Sequence, residues 1–139
     1  MQLRIEITSQ PIDPHLESPE EMTGQAGAVV EFQGLVRGEE EGRAIAALDY
    51  EAYSPMAEQV MRQIFQDIAS RHQCLFASVT HRIGVVPVGE AAIHVVVGAQ
   101  HRAEAFAMLT EFMDRLKQDV PIWKRRSLAY QAMPASKRP

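Results

Sequence analysis

The chain has 139 residues, 46% of them hydrophobic and 23% charged, with a formal net charge of −4. That length suits one compact domain able to bury a core without disulfides or a structural metal, and the single cysteine, Cys74, fits a reducing compartment. The acidic balance argues against a general nucleic-acid binder, and no apolar run approaches the ~20 residues that span a bilayer. The opening MQLRIEITSQ mixes charged with apolar side chains and lacks the apolar stretch of a signal peptide, so a cytoplasmic protein is expected.

Leu3, Ile5 and Ile7 alternate with polar neighbours, which predicts a strand over 2–8. Residues 11–25 hold Pro11, Pro14 and Pro19 and predict a loop with at most a short helix. In GAVVEFQGLVR, Ala28, Val30 and Phe32 share one face of a second strand ending near Arg37. GEEEG, 38–42, predicts an exposed turn with a glycine at each end. Residues 44–53 read as a third strand, with Leu48 and Tyr50 on one face and Asp49 and Glu51 on the other. Ser54 then serves as the expected N-cap, and Pro55 as the first position, of a helix running to about Arg71, with Met56 and Met61 assigned to its core. Two strands follow near 74–82 and 91–99, separated by IGVVPVGE. A second helix is predicted from about His101 to Gln118, with Ala105, Leu109, Phe112 and Leu116 as its apolar stripe. IWKRRSLAY reads as a final strand, and 131–139 as a loose tail after a domain spanning 1–130. The order β-β-β-α-β-β-α-β implies an α+β fold, with a mixed or antiparallel sheet and helices on one face.

The cations are unevenly spread. Lys117, Lys124, Arg125 and Arg126 cluster near the C-terminus, and a local basic pocket in an acidic chain suits a small anionic ligand. Lys117 closes the second helix and Lys124 follows the turn at Pro121, so a chain reversal can bring both ammonium groups to one pocket. Two close cations depress each other's pKa, one way for a lysine to become a base or nucleophile near neutral pH. The blander alternative is a lysine favoured by the helix macrodipole beside a solvated strand. His101-Arg102 opens the same helix, where free N–H groups favour anions, although an ordinary exposed first turn would read the same. Sixteen residues of helix separate His101 from Lys117, roughly 24 Å, so one small ligand cannot touch both within a chain. Either they serve separate sites or a neighbouring subunit completes the pocket. Arg37, at a strand end, suits bidentate phosphate binding, or else a salt bridge to Glu39–Glu41. The five histidines include no pair at zinc-like spacing, so no metal is expected. Cys74 reads as a packed thiol, and His94 as a sheet residue. Trp123, between the lysines, either stacks on a flat heterocycle or packs in the core, the latter being the simpler assignment.

Four segments in order, GAVVEFQGLVRG, LDYEAYSPMA, HRIGVVPVGEAAIHVVVGAQHRAEAF and DRLKQDVPIWKRR, resemble the large catalytic subunit of molybdopterin synthase over about residues 25–126. The resemblance implies the α/β-hammerhead fold of that family and a sulfur transfer making molybdopterin from cyclic pyranopterin monophosphate. It implies no cofactor. The implied partner is a small ubiquitin-like carrier with a C-terminal Gly-Gly thiocarboxylate, one bound at each end of a homodimer, which makes a heterotetramer. It maps catalytic roles onto Lys117 and Lys124, and anion binding onto Arg37, His101, Arg102 and the run Arg125-Arg126. One departure is Arg126, where the family usually has glutamate; this reverses a charge beside the expected pocket. Two rival readings are a non-catalytic anion-binding or assembly homologue of the same fold and a small regulatory domain for a phosphate metabolite.

Overall fold

A computed structural model describes residues 1–13 and 23–129. Its elements are β1 (Gln2–Thr8), β2 (Ala28–Leu35), β3 (Glu39–Glu40), β4 (Arg43–Ala44), β5 (Ala47–Ala52), α1 (Ser54–Ala69), β6 (Cys74–Arg82), β7 (Gly84–Pro87), β8 (Ala91–Ala99), α2 (Arg102–Asp119) and β9 (Ile122–Leu128). The expected tail, and most of the proline-rich loop, lie outside the described residues.

The largest sheet has the order β1-β6-β8-β2, with β1 parallel to β6 and the other pairs antiparallel. β8 lies at its centre and is buried at every position, which explains its continuous apolar sequence. One face of the sheet carries Ile5, Val30, Phe32, Val79, Val95 and Val97, and α1 and α2 lie against it in a single core. Phe65 of α1 stacks on Phe112 of α2, with ring centroids 4.2 Å apart. The mixed sheet with helices on one face is as expected.

A second sheet, β7-β5-β9, is antiparallel throughout and sits at the end of the first. Val36, Leu48, Val86 and Ala92 form the separate core that joins the two sheets. Arg82, fully buried at that junction, donates from Nη1 to Glu90 at 2.8 Å and from Nη2 to the Val85 carbonyl at 3.3 Å.

Several local expectations change. IGVVPVGE contains a strand, β7, which sequence reading took as a plain connection. Gly84, at φ +83°, turns the chain sharply enough for it to pair with β5 at once. Ser54 is the first residue of α1 rather than its cap; Tyr53 is the N-cap and supplies no side-chain hydrogen bond. Met56, in the first turn, is 48% exposed, whereas Met61 is fully buried. On α2 the buried stripe is Ala105, Met108 and Phe112, rotated from the expected one, with Leu109 and Leu116 at its margin. GEEEG is a hairpin rather than a plain turn: Glu39 and Glu40 pair with Ala44 and Arg43. The two residues at its tip, Glu41 at φ +51° and Gly42 at φ +77°, have the paired positive φ of a type I′ turn.

Two outcomes test this architecture. An added Cβ at Gly98 would lie 2.1 Å from Cε1 of Phe76, a ring that is itself 2% exposed. Gly98→Ala should therefore lower stability by about 1–3 kcal/mol, read as a reduced urea midpoint. On the surface of the helix pair, Asp67 and Glu111 are bridged by Arg71 and Arg115. Hydrogen bonds from Arg115 and then Arg71 hold the Asp67 carboxyl below its ordinary range, and Arg71 and then Arg115 do the same for Glu111. This stabilisation is complete above the ordinary carboxylate pKa and is lost as pH falls through the depressed folded values. Below about pH 4 the urea midpoint should fall more steeply for the wild type than for the Asp67→Asn/Glu111→Gln variant.

Candidate active site

The candidate site lies on β9, which among the described residues pairs with β5 alone. α2 ends at Asp119, the Val120–Pro121 turn follows, and the Pro121 carbonyl accepts the Tyr53 N–H at 3.0 Å. This bond fixes the end of α2 to the start of α1 and launches β9 along β5. Lys117, exposed in the last turn of α2, and Lys124, exposed on β9, thus flank one chain reversal. Their Cα atoms are at most ~19 Å apart by chain reach, a span that two long side chains can narrow around a ligand.

The register of β9 decides which of its cations work together. Asp49 pairs with Arg126 and Tyr50 with Lys124, so one residue, Arg125, is extra and the strand bulges there. In a regular strand Lys124 and Arg126 would share a face. Asp49 and Tyr50 are successive residues on β5 and point to opposite faces, so the bulge sends Lys124 and Arg126 to opposite faces as well. Nε of Arg126 donates to Oδ2 of Asp49 at 3.3 Å, and Asp49 is only 8% exposed. Arg126 therefore has its own carboxylate partner, on the face opposite Lys124.

Lys124 Nζ instead donates to Oε1 of Glu40 at 3.0 Å, joining β9 to the acidic hairpin. Beneath it lies the half-buried Tyr50. Burial pushes the Tyr50 phenol up, the Lys124 ammonium opposes that rise, and Glu40 adds to it. The ring of Tyr50 meets His81 edge-on at 5.5 Å. Burial holds His81 below the usual imidazole range, against the raising effect of the Nδ1–H bond to the Arg82 carbonyl at 2.9 Å. Burial thus favours the uncharged forms of both rings in the floor beneath Lys124.

Arg37 follows β2 by two residues, next to Val36, whose N–H donates to the Glu90 carbonyl and whose carbonyl accepts the Gly89 N–H. With Gly38, Glu39, Glu41 and Gly42 it lines an open depression of about 620 Å³. Among the described residues no ion pair joins it to the acidic cluster. His101 is the N-cap of α2, in extended conformation and without a side-chain hydrogen bond, and Arg102 is exposed beside it. Both are separated from Lys117 by the length of the helix, ~24 Å. Lys117 thus precedes the α2–β9 turn, Lys124 and Arg125 follow it, Arg37 lies at the base of the hairpin, and His101 and Arg102 stand at the other end of α2. Trp123 is 45% exposed on β9, opposite Glu51, and is not a core residue: no described element packs over that part of the strand, whereas Leu128 at its other end is buried. Tyr50, His81 and Glu40 near Lys124, and Asp49 beside Arg126, were missed as site residues, because only contacts between segments far apart in the chain bring them there. The alternation around Tyr50 was the one available signal.

Among the described residues no group of His, Cys, Asp and Glu could hold a metal ion, and no helix is long and apolar enough to cross a membrane. Cys74 is half-buried against the main core, and burial pushes its thiol up. His94 donates from Nε2 to Glu31 at 2.6 Å within the β2–β8 pair.

Residues 7–119 match the family model described as MoaE protein. The chain is 40% identical over 122 residues to the molybdopterin synthase catalytic subunit of Bacillus subtilis, covering 88% of this chain and 78% of that one. It resembles the crystal structure of molybdopterin synthase from Staphylococcus aureus with a TM-score of 0.71 and 32% identity, over 88% of this chain and 93% of that one. The fold also matches a chain in the complex of subunits 1 and 2 of molybdopterin-converting factor from Helicobacter pylori, with a TM-score of 0.65 and 19% identity over 91% of this chain and 88% of that one. With the family model matched over residues 7–119 and a relative 40% identical across most of both chains, the chain belongs to the MoaE family.

Proposed function

We propose that this chain is the catalytic subunit of a molybdopterin synthase, moving sulfur from the C-terminal thiocarboxylate of a small carrier subunit onto cyclic pyranopterin monophosphate. The observation that carries this reading is the pair Lys117 and Lys124 flanking one chain reversal, in a chain so similar to relatives named for that catalysis. The substrate carries a cyclic phosphate, and a cluster of cations supplies the complementary field. Sulfur transfer requires attack on carrier and pterin intermediates with movement of protons. Lys117, with no ion-pair partner among the described residues, is the leading general base or transient nucleophile. Lys124 stabilises negative charge as it develops. Arg37 and Arg125 bind anionic groups of the ligand. Arg126, already engaged by Asp49, contributes through the local field rather than by direct capture.

His101 and Arg102 complete the site from the other protomer of a homodimer, because the helix holds them ~24 Å from Lys117 of their own chain. The carrier binds as a separate small subunit at each end of that dimer. Such a complex of two subunits is what the Helicobacter pylori structure contains.

The test mixes the purified chain with thiocarboxylated carrier and cyclic pyranopterin monophosphate and follows molybdopterin through its fluorescent oxidised derivative. Lys117→Ala should reduce product at least 100-fold with the dimer intact. No product from the wild type, with carrier binding preserved, would leave an assembly homologue and overturn the catalytic reading. The shared site has a separate signature. Lys117→Ala and Arg102→Ala protomers, each inactive alone, should regain about a quarter of wild-type activity when unfolded and refolded together, because mixed dimers hold one intact site. No recovery in verified mixed dimers would place both residues in one chain's site.

A further inference from the structure

Glu39, Glu40 and Glu41 stand beside a site whose cations are arranged for an anion, and their charge opposes binding of that anion. Glu40 alone of the three forms an ion pair among the described residues, with Lys124. Its partner is 84 positions away in the chain, so the contact exists only through the fold.

The hairpin presents Glu40 from a defined place. Its type I′ tip at Glu41-Gly42 sets the strand twist, and the Ile45 N–H donates to the Gly38 carbonyl at 3.0 Å across its base. Ile45 also packs against the core formed by Val36, Leu48 and Val86. Lys124 is the reverse case, a long side chain on an edge strand, 47% exposed where Glu40 is 24% exposed. A flexible ammonium held by a carboxylate on a braced element acquires a preferred position, here above Tyr50 on the hairpin side of β9.

We propose that Glu40 is a positioning residue for Lys124. It sets where the ammonium stands when the carrier's thiocarboxylate and the pterin arrive, although its charge weakens anion binding. The effect on turnover rests on the synthase reading above; the contact itself does not.

Two measurements on Glu40→Gln and Glu40→Asp separate these levels. In the free, full-length protein, competitive acetylation followed by mass spectrometry compares Lys124 with Lys117 as an internal reference. Glu40→Gln should raise the relative rate at Lys124 about two- to fivefold, the protection an exposed ion pair can give, and Glu40→Asp should restore most of it. In the carrier-dependent assay Glu40→Gln should lower kcat about tenfold without raising KM for the anionic pterin, and Glu40→Asp should recover a large part. A purely structural hairpin defect would not be rescued by aspartate or leave KM intact. An unchanged acetylation ratio in folded Glu40→Gln overturns the proposal outright. Increased acetylation with unaltered kcat overturns the positioning role and leaves only a surface ion pair. Absence of turnover in the wild type removes the synthase reading and the positioning role with it, while the acetylation ratio still decides whether the contact exists.

Discussion

The pairing of β9 with β5 is the constraint on which the site depends. It returns the last described strand, residues 122–128, to a strand some 75 residues earlier, across the segments that form both helices and most of the large sheet. Contacts of such sequence separation carry a closure cost in entropy that only a packed interior can offset. Here the interior is supplied on one side by α1 and α2 against β8, and on the other by Val36, Leu48 and Val86. Remove that frame and Lys124, Glu40, Tyr50 and Asp49 have no reason to meet.

Within that pairing, one extra residue has a large effect. The bulge at Arg125 divides a run of three cations between two faces of a thin sheet. A cation triplet on one side would repel itself and concentrate charge where a single lysine is wanted. Split by the bulge, Lys124 faces the hairpin and the phenol floor, and Arg126 is neutralised by a nearly buried aspartate. Asp49 accepts the Arg126 guanidinium directly across the strand pair.

The floor of the site has its own electrostatic character. Burial favours the uncharged forms of both Tyr50 and His81, so the nearest formal charges to Lys124 are on the hairpin rather than beneath it.

Much of this was determined by the sequence alone. The period-2 pattern marked β1 and β2 and the period-3.6 pattern both helices, because burial on one face leaves a periodic trace in composition; β6 and β8 were legible as apolar runs of strand length. The concentration of cations from Lys117 to Arg126, and the separation of His101 from Lys117 by a helix, were equally legible, since helix rise is a property of the backbone. Tertiary structure alone decided the rest. β7 is four residues long and too short for a period; the exposed Trp123 and Met56 lie at element edges that a helical or strand pattern does not mark. The partners of Lys124 and Arg126 follow from strand register and from a bulge, and a one-residue shift in register exchanges every face without changing any local propensity. Local sequence fixes which elements form and which groups they carry; which groups then touch is set by packing between segments far apart in the chain.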